Sequence, residues 1–302
     1  MRSPNDIPKY THSEFRYRFT QKDKFPSGGD GSFRIYKIED VIPYLKFPLP
    51  LQRSDYYEIL FVSAGALSSR HCGLKKYDIK PCQIFFKAAG QISSGDIYDA
   101  NIRGYFCLLE GDFLSRNGIS NTALSSFSFF KFGQRPLVDL TAEETDKFTR
   151  LFDSMHALRE DAGNRRLLAA YLHVFLLEAG ALHEQQENIT ATTNTSSYEQ
   201  LTSKFLDLVN QHHLKAQQVN EYAGMLHVTP NYLNKAVKQT TGKSALEQIH
   251  EMLILEAKVL LKQNEMNVSE IAGYLSFEDP SYFTRLFKNR TGYTPLDYRK
   301  RE

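Results

Sequence analysis

Hydrophobic positions in the first half of the chain come in short runs, each about as long as one strand, with Gly, Asp or Pro between them. The clearest runs are YYEILFVSAGAL (56–67), KKYDIKPCQIFFKAAGQI (75–92) and RGYFCLLEGDFL (103–114). They are rich in aromatic and β-branched residues, which strands favour. Many short strands in succession predict a barrel or a sandwich rather than an α/β sheet. Such a barrel can hold a small ligand in its mouth.

The hydrophobic spacing becomes helical after residue 140. Residues 141–160 open with Thr141 and Glu144 at capping-box spacing, and their apolar residues recur every three or four positions. Residues 165–184 predict a second helix that is apolar around much of its circumference. Two interpretations of this helix stay open: it packs against the strands, or it forms the seam of a dimer. Residues 185–197 are polar and lack periodicity, which predicts a linker.

The last hundred residues contain an imperfect internal repeat. Its copies are QVNEYAGMLHVTPNYLNKAVKQTTGKS (218–244) and NVSEIAGYLSFEDPSYFTRLFKNRTGYTP (267–295). Each copy predicts a short helix, a tight turn and a second helix that begins at a capping residue with proline and ends at glycine. These boundaries are Thr229-Pro230 and Gly242 in the first copy, and Asp279-Pro280 and Gly292 in the second. Two short helices joined by a tight turn predict a helix-turn-helix motif in each copy.

Helical spacing divides the second helix of each copy into an inner and an outer face. The residues expected in the core are Tyr232, Leu233, Ala236 and Val237 in the first copy, and Phe283, Leu286 and Phe287 in the second. The residues expected to face outward are Asn231, Asn234, Lys235 and Lys238, and Ser281, Tyr282, Arg285, Lys288 and Asn289. Exposed Asn, Arg and Lys near a helix start are side chains that hydrogen-bond base edges in a major groove. One such face alone would indicate a solvated surface, but its recurrence at matched positions favours nucleic-acid binding.

Between the two copies, residues 245–263 predict one continuous helix. At ~1.5 Å per residue this helix would be roughly 27 Å long. A rigid helix of that length could hold two recognition helices in successive segments of the major groove, which lie ~34 Å apart.

Composition and charge narrow the class of protein. The chain has 302 residues, of which 41% are hydrophobic and 24% charged, so two soluble domains with their own cores are expected. A net charge of +2 neither requires nor excludes a polyanionic partner, and the binding case rests on where the charges lie. The three cysteines, Cys72, Cys82 and Cys107, form no CxxC pair, which suits reduced thiols in the cytoplasm.

Several kinds of protein are not expected from these residues. The N-terminus lacks the apolar run of a signal peptide, and no segment approaches the ~20 apolar residues of a membrane helix, so no membrane partner is expected. The strand-rich region holds one histidine, His71, whereas a metal-dependent barrel enzyme needs a cluster of histidines with a carboxylate. We therefore predict no metal, no cofactor and no catalytic residues.

The second copy resembles the signature of the AraC/XylS family of transcriptional regulators. The matching residues are Ile271, Ala272, Leu275, Phe277, Asp279, Ser281, Tyr282, Phe283, Arg285, Phe287, Lys288, Gly292, Thr294, Pro295, Tyr298 and Arg299. Ser276 stands where that family usually has glycine, and Cys82 stands where glycine is common in the family's barrel.

The resemblance implies a DNA-binding domain with two helix-turn-helix motifs. Base contacts would come from Asn231, Asn234, Lys235, Ser281, Tyr282 and Arg285. Phosphate contacts would come from Thr229, Lys238, Lys288 and Thr294. The resemblance also implies that the N-terminal half is a cupin-like barrel that senses an effector or dimerises.

The sequence thus predicts an α+β multidomain protein. The expected parts are a cupin-like sensing barrel (1–136), a helical dimerisation segment (137–185), a linker (186–197) and a double helix-turn-helix domain with a linker helix (198–302). The expected function is a cytoplasmic, sequence-specific transcriptional activator modulated by an effector or by dimerisation. Its expected partners are double-stranded promoter DNA, RNA polymerase, a small-molecule effector and a second copy of the chain. The alternative is a cupin-type enzyme or ligand-binding protein with a helical protein-interaction domain.

Overall fold

Strands occupy the N-terminal part of the described chain and helices the C-terminal part. The structure is a computed structural model that describes residues 20, 25–29, 32–65, 67–95, 99, 101–120, 123–191, 197–263 and 266–301. The chain divides into two compact units, whose boundary lies between residues 193 and 194. A sheet-rich N-terminal region and a helical C-terminal region confirm the predicted α+β class. The cupin-like closure of the sheets and the domain boundaries at 136, 185 and 197 stay predictions.

The described strands form two antiparallel sheets. The strands are β1 Phe33–Lys37, β2 Leu49–Arg53, β3 Tyr56–Ala64, β4 Leu67–Cys72, β5 Lys75–Ile79, β6 Gln83–Lys87, β7 Ile92–Gly95, β8 Arg103–Glu110 and β9 Leu137–Asp139. The five-stranded sheet has the order β1-β8-β3-β6-β9, and the four-stranded sheet has the order β2-β7-β4-β5. The three apolar runs of the sequence therefore form strands as predicted.

The central strand β3 is apolar on both faces because both faces are covered. Successive side chains of a strand point to opposite sides of its sheet. Ile59 and Phe61 belong to the large core cluster that includes the helices α4 and α5 (bounds below), whereas Leu60 and Val62 belong to a second cluster with residues of the four-stranded sheet. A strand covered on both sides reads as a continuous apolar run, which matches this part of the sequence.

Five α-helices accompany the sheets among the described residues of this unit. They are α1 Ile38–Val41, α2 Phe113–Arg116, α3 Ala123–Ser126, α4 Ala142–Leu158 and α5 Arg165–Ala191. The predicted capping box starts α4: Thr141 Oγ1 accepts a hydrogen bond from the Glu144 amide at 3.2 Å, and Glu144 Oε2 accepts one from the Thr141 amide at 2.7 Å. This reciprocal pair satisfies two of the amide groups that the first turn of a helix leaves without partners.

Helix α5 has one face in the core and one apolar face in solvent. Leu172, Phe175 and Leu176 are fully buried against the five-stranded sheet and α4. On the opposite side, Leu167 is 48% exposed, Val174 45% and Leu177 53%. Packing against the strands, the first interpretation made from the sequence, accounts for the inner face. The outer face has no described residue covering it, so the dimer seam stays a prediction.

Helix α5 is longer than predicted, and its length corrects two expectations from the sequence. These are the absence of any segment long and apolar enough to cross a membrane, and the linker that begins at residue 186. Arg165–Glu187 is long and apolar enough to cross a membrane by length and composition alone. Core helices pass the same test, and 44% of the apolar window is buried inside the protein. The same helix also continues to Ala191, past the predicted end of the helical segment at residue 185. The predicted linker is therefore helical over 186–191, while residues 192–196 lie outside the described residues.

The described residues of the C-terminal unit form helices joined by short turns, with no strand among them. Its helices are α6 Ser197–His212, α7 Val219–Met225, α8 Pro230–Thr241, α9 Ala245–Gln263, α10 Val268–Tyr274, α11 Pro280–Thr291 and α12 Pro295–Lys300. Helix α9 confirms the predicted continuous helix and contacts α6, α8, α10, α11 and α12. Most of its residues are buried, so α9 is the core around which the unit is assembled.

The predicted helix boundaries of the repeat are confirmed at both copies. Thr229 Oγ1 accepts a hydrogen bond from the Tyr232 amide at 3.3 Å at the start of α8. The Asp279 carboxylate accepts from the amides of Ser281 at 2.8 Å and Tyr282 at 3.2 Å at the start of α11. The helices end at Gly242, with φ 75°, and at Gly292, with φ 81°. A left-handed residue after the last turn favours glycine because a Cβ is strained there.

The turns inside the two helix pairs share a strained position. His227 has φ 54° and Ser276 has φ 59°, and each lies directly after the C-cap leucine of the first helix of its pair. Ser276 stands where the AraC/XylS family usually has glycine, and its positive φ is a conformation that favours glycine. Ser276 has a compensating contact, because its Oγ donates a hydrogen bond to the Leu214 carbonyl at 2.8 Å.

Glycine at position 227 is expected to stabilise the C-terminal unit. A non-glycine residue in the left-handed region costs about 1–2 kcal/mol, and the extra freedom of glycine in the unfolded chain removes part of that gain. We expect His227→Gly to raise the free energy of unfolding by about 0.5–1 kcal/mol, measured by urea denaturation. His227→Ala keeps the Cβ and is the control. Equal stability of the two variants would contradict a strained turn.

Candidate nucleic-acid interface

Helix α8 presents polar side chains on the face opposite its core residues. Leu233, Ala236 and Val237 are fully buried, as predicted. The residues exposed along the other face are Asn231, Tyr232, Lys235 and Lys238. Tyr232 was expected in the core, and that prediction is wrong: its side chain is 41% exposed. It lies against Tyr198 of α6, with ring centroids 5.4 Å apart at an angle of 74°.

Helix α11 repeats the same division fifty residues later. Phe283 and Phe287 are fully buried, and Leu286 is half-buried. The exposed residues are Ser281, Tyr282, Arg285, Lys288 and Asn289, all of them expected to face outward. In this register Tyr232 corresponds to Tyr282, which is 43% exposed. The sequence analysis assigned Tyr232 to the core but Tyr282 to the outer face. Aligning the two copies of the repeat would have placed both tyrosines on the outer face.

The cations of the outer faces form no close ion pairs among the described residues, unlike two cations nearby. Lys235, Lys238, Arg285 and Lys288 form no ion pair within 4.0 Å with any acid in the described part of the chain. By contrast, Lys243 pairs with Glu251 at 2.5 Å, and Arg290 lies 3.7 Å from Glu247. Two of these outer-face cations lie on each of α8 and α11, so both faces are positively charged and open to an anionic partner.

The acid at the start of α11 is committed to capping. The backbone N–H of Ser281 hydrogen-bonds the Asp279 carboxylate and lowers its pKa, and Arg285 acts more weakly in the same direction. Asp279 therefore stays ionised at neutral pH as a helix cap, where a negative charge is favourable.

Two of the predicted contact residues already have partners inside the protein. Asn234 is half-buried, and its Oδ1 accepts a hydrogen bond from the Ala245 amide at 3.0 Å, which caps the start of α9. Thr294 caps α12: its Oγ1 donates to Asp297 Oδ2 at 2.5 Å and accepts from the Asp297 amide at 3.2 Å. The groups left for an outside partner are the Asn234 amino group, the second lone pair of the Asn234 oxygen and a hydroxyl lone pair of Thr294. Thr229 is exposed, and its hydroxyl hydrogen is not used by the cap.

The described residues contain no group of three or more His, Cys, Asp or Glu side chains that could hold a metal ion. His71 lies on β4, opposite Lys76 of β5 and Ser94 of β7.

Comparison with known proteins assigns the C-terminal unit. The family model described as "Helix-turn-helix domain" matches residues 222–301. Over 125 residues the chain is 28% identical to "Uncharacterized HTH-type transcriptional regulator YisR" of Bacillus subtilis, covering 41% of this chain and 42% of that protein. Over 69 residues it is 38% identical to the "HTH-type transcriptional activator RhaR" of Yersinia pseudotuberculosis, covering 23% of this chain and 24% of that protein. The matches thus span less than half the length of these curated relatives.

A solved structure of ToxT from Vibrio cholerae is 17% identical, with a TM-score of 0.40, and covers 89% of this chain and 98% of that one. The family match, and not this structural likeness, places residues 222–301 in the class of DNA-binding helix-turn-helix domains. Within that class the domain is of the AraC/XylS type, and the homologues that share it are named as HTH-type transcriptional regulators.

Proposed function

We propose that the chain is a sequence-specific transcriptional regulator that inserts α8 and α11 into the major groove of promoter DNA. The observation that carries this proposal is the pair of matched outer faces, in which Tyr232 and Lys235 of α8 correspond to Tyr282 and Arg285 of α11. A solvated helix has no reason to repeat exposed aromatic residues and unpaired cations at the same positions. A groove-binding helix does, because these side chains reach base edges and phosphates.

The outer faces supply the groups that base recognition requires. Arg285 can donate two parallel hydrogen bonds to the O6 and N7 of guanine, and Asn231 can pair with the N6 and N7 of adenine. Lys235 is the counterpart of Arg285 on the first helix, and Ser281 and Tyr282 offer hydroxyl groups beside it. Asn234 can contribute mainly its amino group, because one of the two lone pairs of its oxygen is used in capping α9.

The phosphate contacts fall at the two ends of the outer faces. Lys238 and Lys288 are the later cations of the two outer faces, and we assign them to phosphates of the DNA backbone. Thr229 and Thr294 stand at helix N-termini, where amide groups and the helix dipole favour an anion. Helix α9 joins the pairs as a rigid element of about 28 Å at 1.5 Å per residue, which suits two recognition helices on one side of a duplex.

We further propose that the N-terminal unit regulates this binding. A small-molecule effector held beside the sheets, or dimerisation through α5, would change the affinity of the chain for its promoter. On binding, the protein would act in the cytoplasm as an activator that contacts RNA polymerase, and it would carry out no catalysis. These roles follow from the regulator class and from the two available surfaces of the unit.

Selective binding to the DNA upstream of its own gene tests the proposed function. Full-length protein should bind this DNA more tightly than a scrambled duplex of the same composition, measured by fluorescence anisotropy. Equal affinity for the two duplexes in low salt would overturn the proposal of sequence-specific recognition.

The salt dependence of the same binding is expected to show how many phosphates Lys238 and Lys288 neutralise. Each neutralised phosphate contributes a slope of about −0.9 to log K against log salt. Two contacts give about −1.8 per chain, or an affinity loss of about tenfold between 50 and 200 mM salt. Lys288→Ala should make the slope about one unit shallower, whereas Lys243→Ala, which removes a paired lysine, should not. An unchanged slope in Lys288→Ala would exclude a phosphate contact at this residue.

A further inference from the structure

A partly enclosed cavity lies beside the sheets of the N-terminal unit. Its volume is about 50 Å³, enough for a few water molecules or a ligand of similar size. Most of its wall is apolar and comes from the segment that follows β1 and from β2, β3 and β8. The apolar lining residues are Ile38, Val41, Ile42, Leu45, Phe47, Leu49, Leu60, Ile102 and Phe106.

Three buried charged side chains complete the wall of this cavity. Glu58 of β3 is 3% exposed, Arg70 of β4 is 8% exposed and Lys87 of β6 is 1% exposed. Arg70 donates a hydrogen bond from Nη2 to Glu58 Oε1, and Lys87 Nζ lies 3.8 Å from Glu58 Oε2. Lys87 also donates to the Ser54 hydroxyl and lies over the ring of Tyr56, 5.0 Å from its centroid. Burying three charged side chains costs free energy of folding unless the charges are paired or have a function.

The pairing inside this cluster is incomplete. Arg70 Nε and Gln52 Oε1 are buried and lack a hydrogen-bond partner in the described structure. Both residues line the cavity. Lys87 can donate three hydrogen bonds, and its distance to Glu58 is too long for one of them. Leaving a buried polar group without a partner costs about 1–3 kcal/mol, and a ligand that supplies the partner recovers that cost.

The charges indicate which kind of ligand would be bound. The cavity is lined by two cationic side chains and one carboxylate, and Arg70 already occupies that carboxylate. A cation would compete with Arg70 for Glu58 and would face Lys87. A carboxylate would instead meet the remaining donors of Arg70 and Lys87. Burial lowers the pKa of Lys87, and a carboxylate placed next to it would favour its charged form.

We propose that this cavity binds a small monocarboxylate of about two to four carbons, with its carboxylate against Lys87 and Arg70 and its alkyl part against the apolar wall. The binding itself stands on the cavity alone. Its regulatory meaning, as the effector of the chain, rests on the proposed function.

Calorimetry with full-length protein tests the chemical class of the ligand. The probe is propionate, compared with propionamide, which has nearly the same shape and no charge, and with propylammonium, which has the opposite charge. We expect propionate to bind at least tenfold more tightly than either. Equal affinity for propionate and propionamide would overturn the proposal, because the cluster would then provide no anion site.

Variants of the cavity test its location. Lys87→Met keeps the length of the side chain and removes its charge, and it should weaken propionate binding at least tenfold. Lys75→Met changes an exposed lysine on β5 and should leave binding unchanged. Leu45→Trp fills the half-buried part of the apolar wall and should also abolish binding while the circular dichroism spectrum stays native. Undiminished binding in folded Lys87→Met or Leu45→Trp would place propionate elsewhere and overturn the proposal.

The promoter assay, run in parallel, separates this inference from the proposed function. Selective DNA binding without propionate binding would refute the ligand and leave the regulator in place. Propionate binding in the cavity without selective DNA binding would support the ligand site and refute the proposed regulator.

Discussion

Arg285→Ala is expected to reduce the affinity for the target DNA by about 1–3 kcal/mol, or roughly five- to 150-fold. Arg285 is exposed near the start of α11, and no described acid forms an ion pair with it, so its guanidinium group can pair with a base edge. The loss should fall mainly on the cognate duplex, because a scrambled duplex offers no guanine at the matching position. The measurement is anisotropy with both duplexes at one salt concentration.

Two further variants separate base recognition from charge. Arg290→Ala removes the same charge from the same helix, but Arg290 lies beside Glu247 of α9 rather than on the outer face, so it should cost less than about threefold. Arg285→Lys keeps the charge and loses the planar fork that matches guanine, so it should resemble Arg285→Ala on the cognate duplex. Wild-type affinity in Arg285→Ala would show that α11 does not read bases through this residue.

The helix pairs could be predicted from the sequence because their signals are local. Capping residues, Pro230 and Pro280 at the first helical position, and glycines past the end act within one turn, and the structure places the helices at those boundaries. Tyr232 was misassigned because an aromatic residue next to an apolar stripe fits either face by spacing alone. Only its correspondence with Tyr282 shows that both tyrosines lie outside.

Other features depended on contacts between segments far apart in the chain. Asn234 has the type and spacing of a base-reading residue, yet its oxygen caps a helix that begins eleven residues later. The positive φ of Ser276 follows from the path of the turn, and the hydroxyl contact with Leu214 that accompanies it joins residues 62 apart. Neither contact could be inferred from hydrophobic periodicity, because the partner is set by tertiary packing.

The order of the strands in the sheets also could not be predicted from the sequence. The continuous apolar run indicates that both faces of β3 are buried, but not that β8 and β6 are its neighbours. A glutamate inside the apolar run YYEILFV was the one sequence signal of the buried cluster. Its partner Lys87 comes from the neighbouring strand β6, and its partner Arg70 comes from β4 of the other sheet, so both the strand order and the packing of the two sheets are needed to form the cluster.

The exposed apolar face of α5 leads to the second prediction, which concerns the oligomeric state of the chain. Its exposed apolar residues are Leu167, Ala170, Val174, Leu177 and Ala181. Their spacing alternates between three and four residues, which is the spacing of a seam between two helices. The occupant we propose is the same helix of a second copy, since a symmetric dimer buries the same face on both partners.

Leu177→Asp is therefore expected to convert the dimer into a monomer. Burying a leucine stabilises an interface by about 1.5–3 kcal/mol, and a two-fold dimer contains the residue twice, so the dissociation constant should rise by at least about 100-fold. Sedimentation velocity at a concentration where the wild type is dimeric measures the change. Ala142→Asp places the same charge at an exposed position in the first turn of α4 and should remain dimeric. A wild-type chain that sediments as a monomer, or a Leu177→Asp variant that stays dimeric, would show that this face is not the dimer seam.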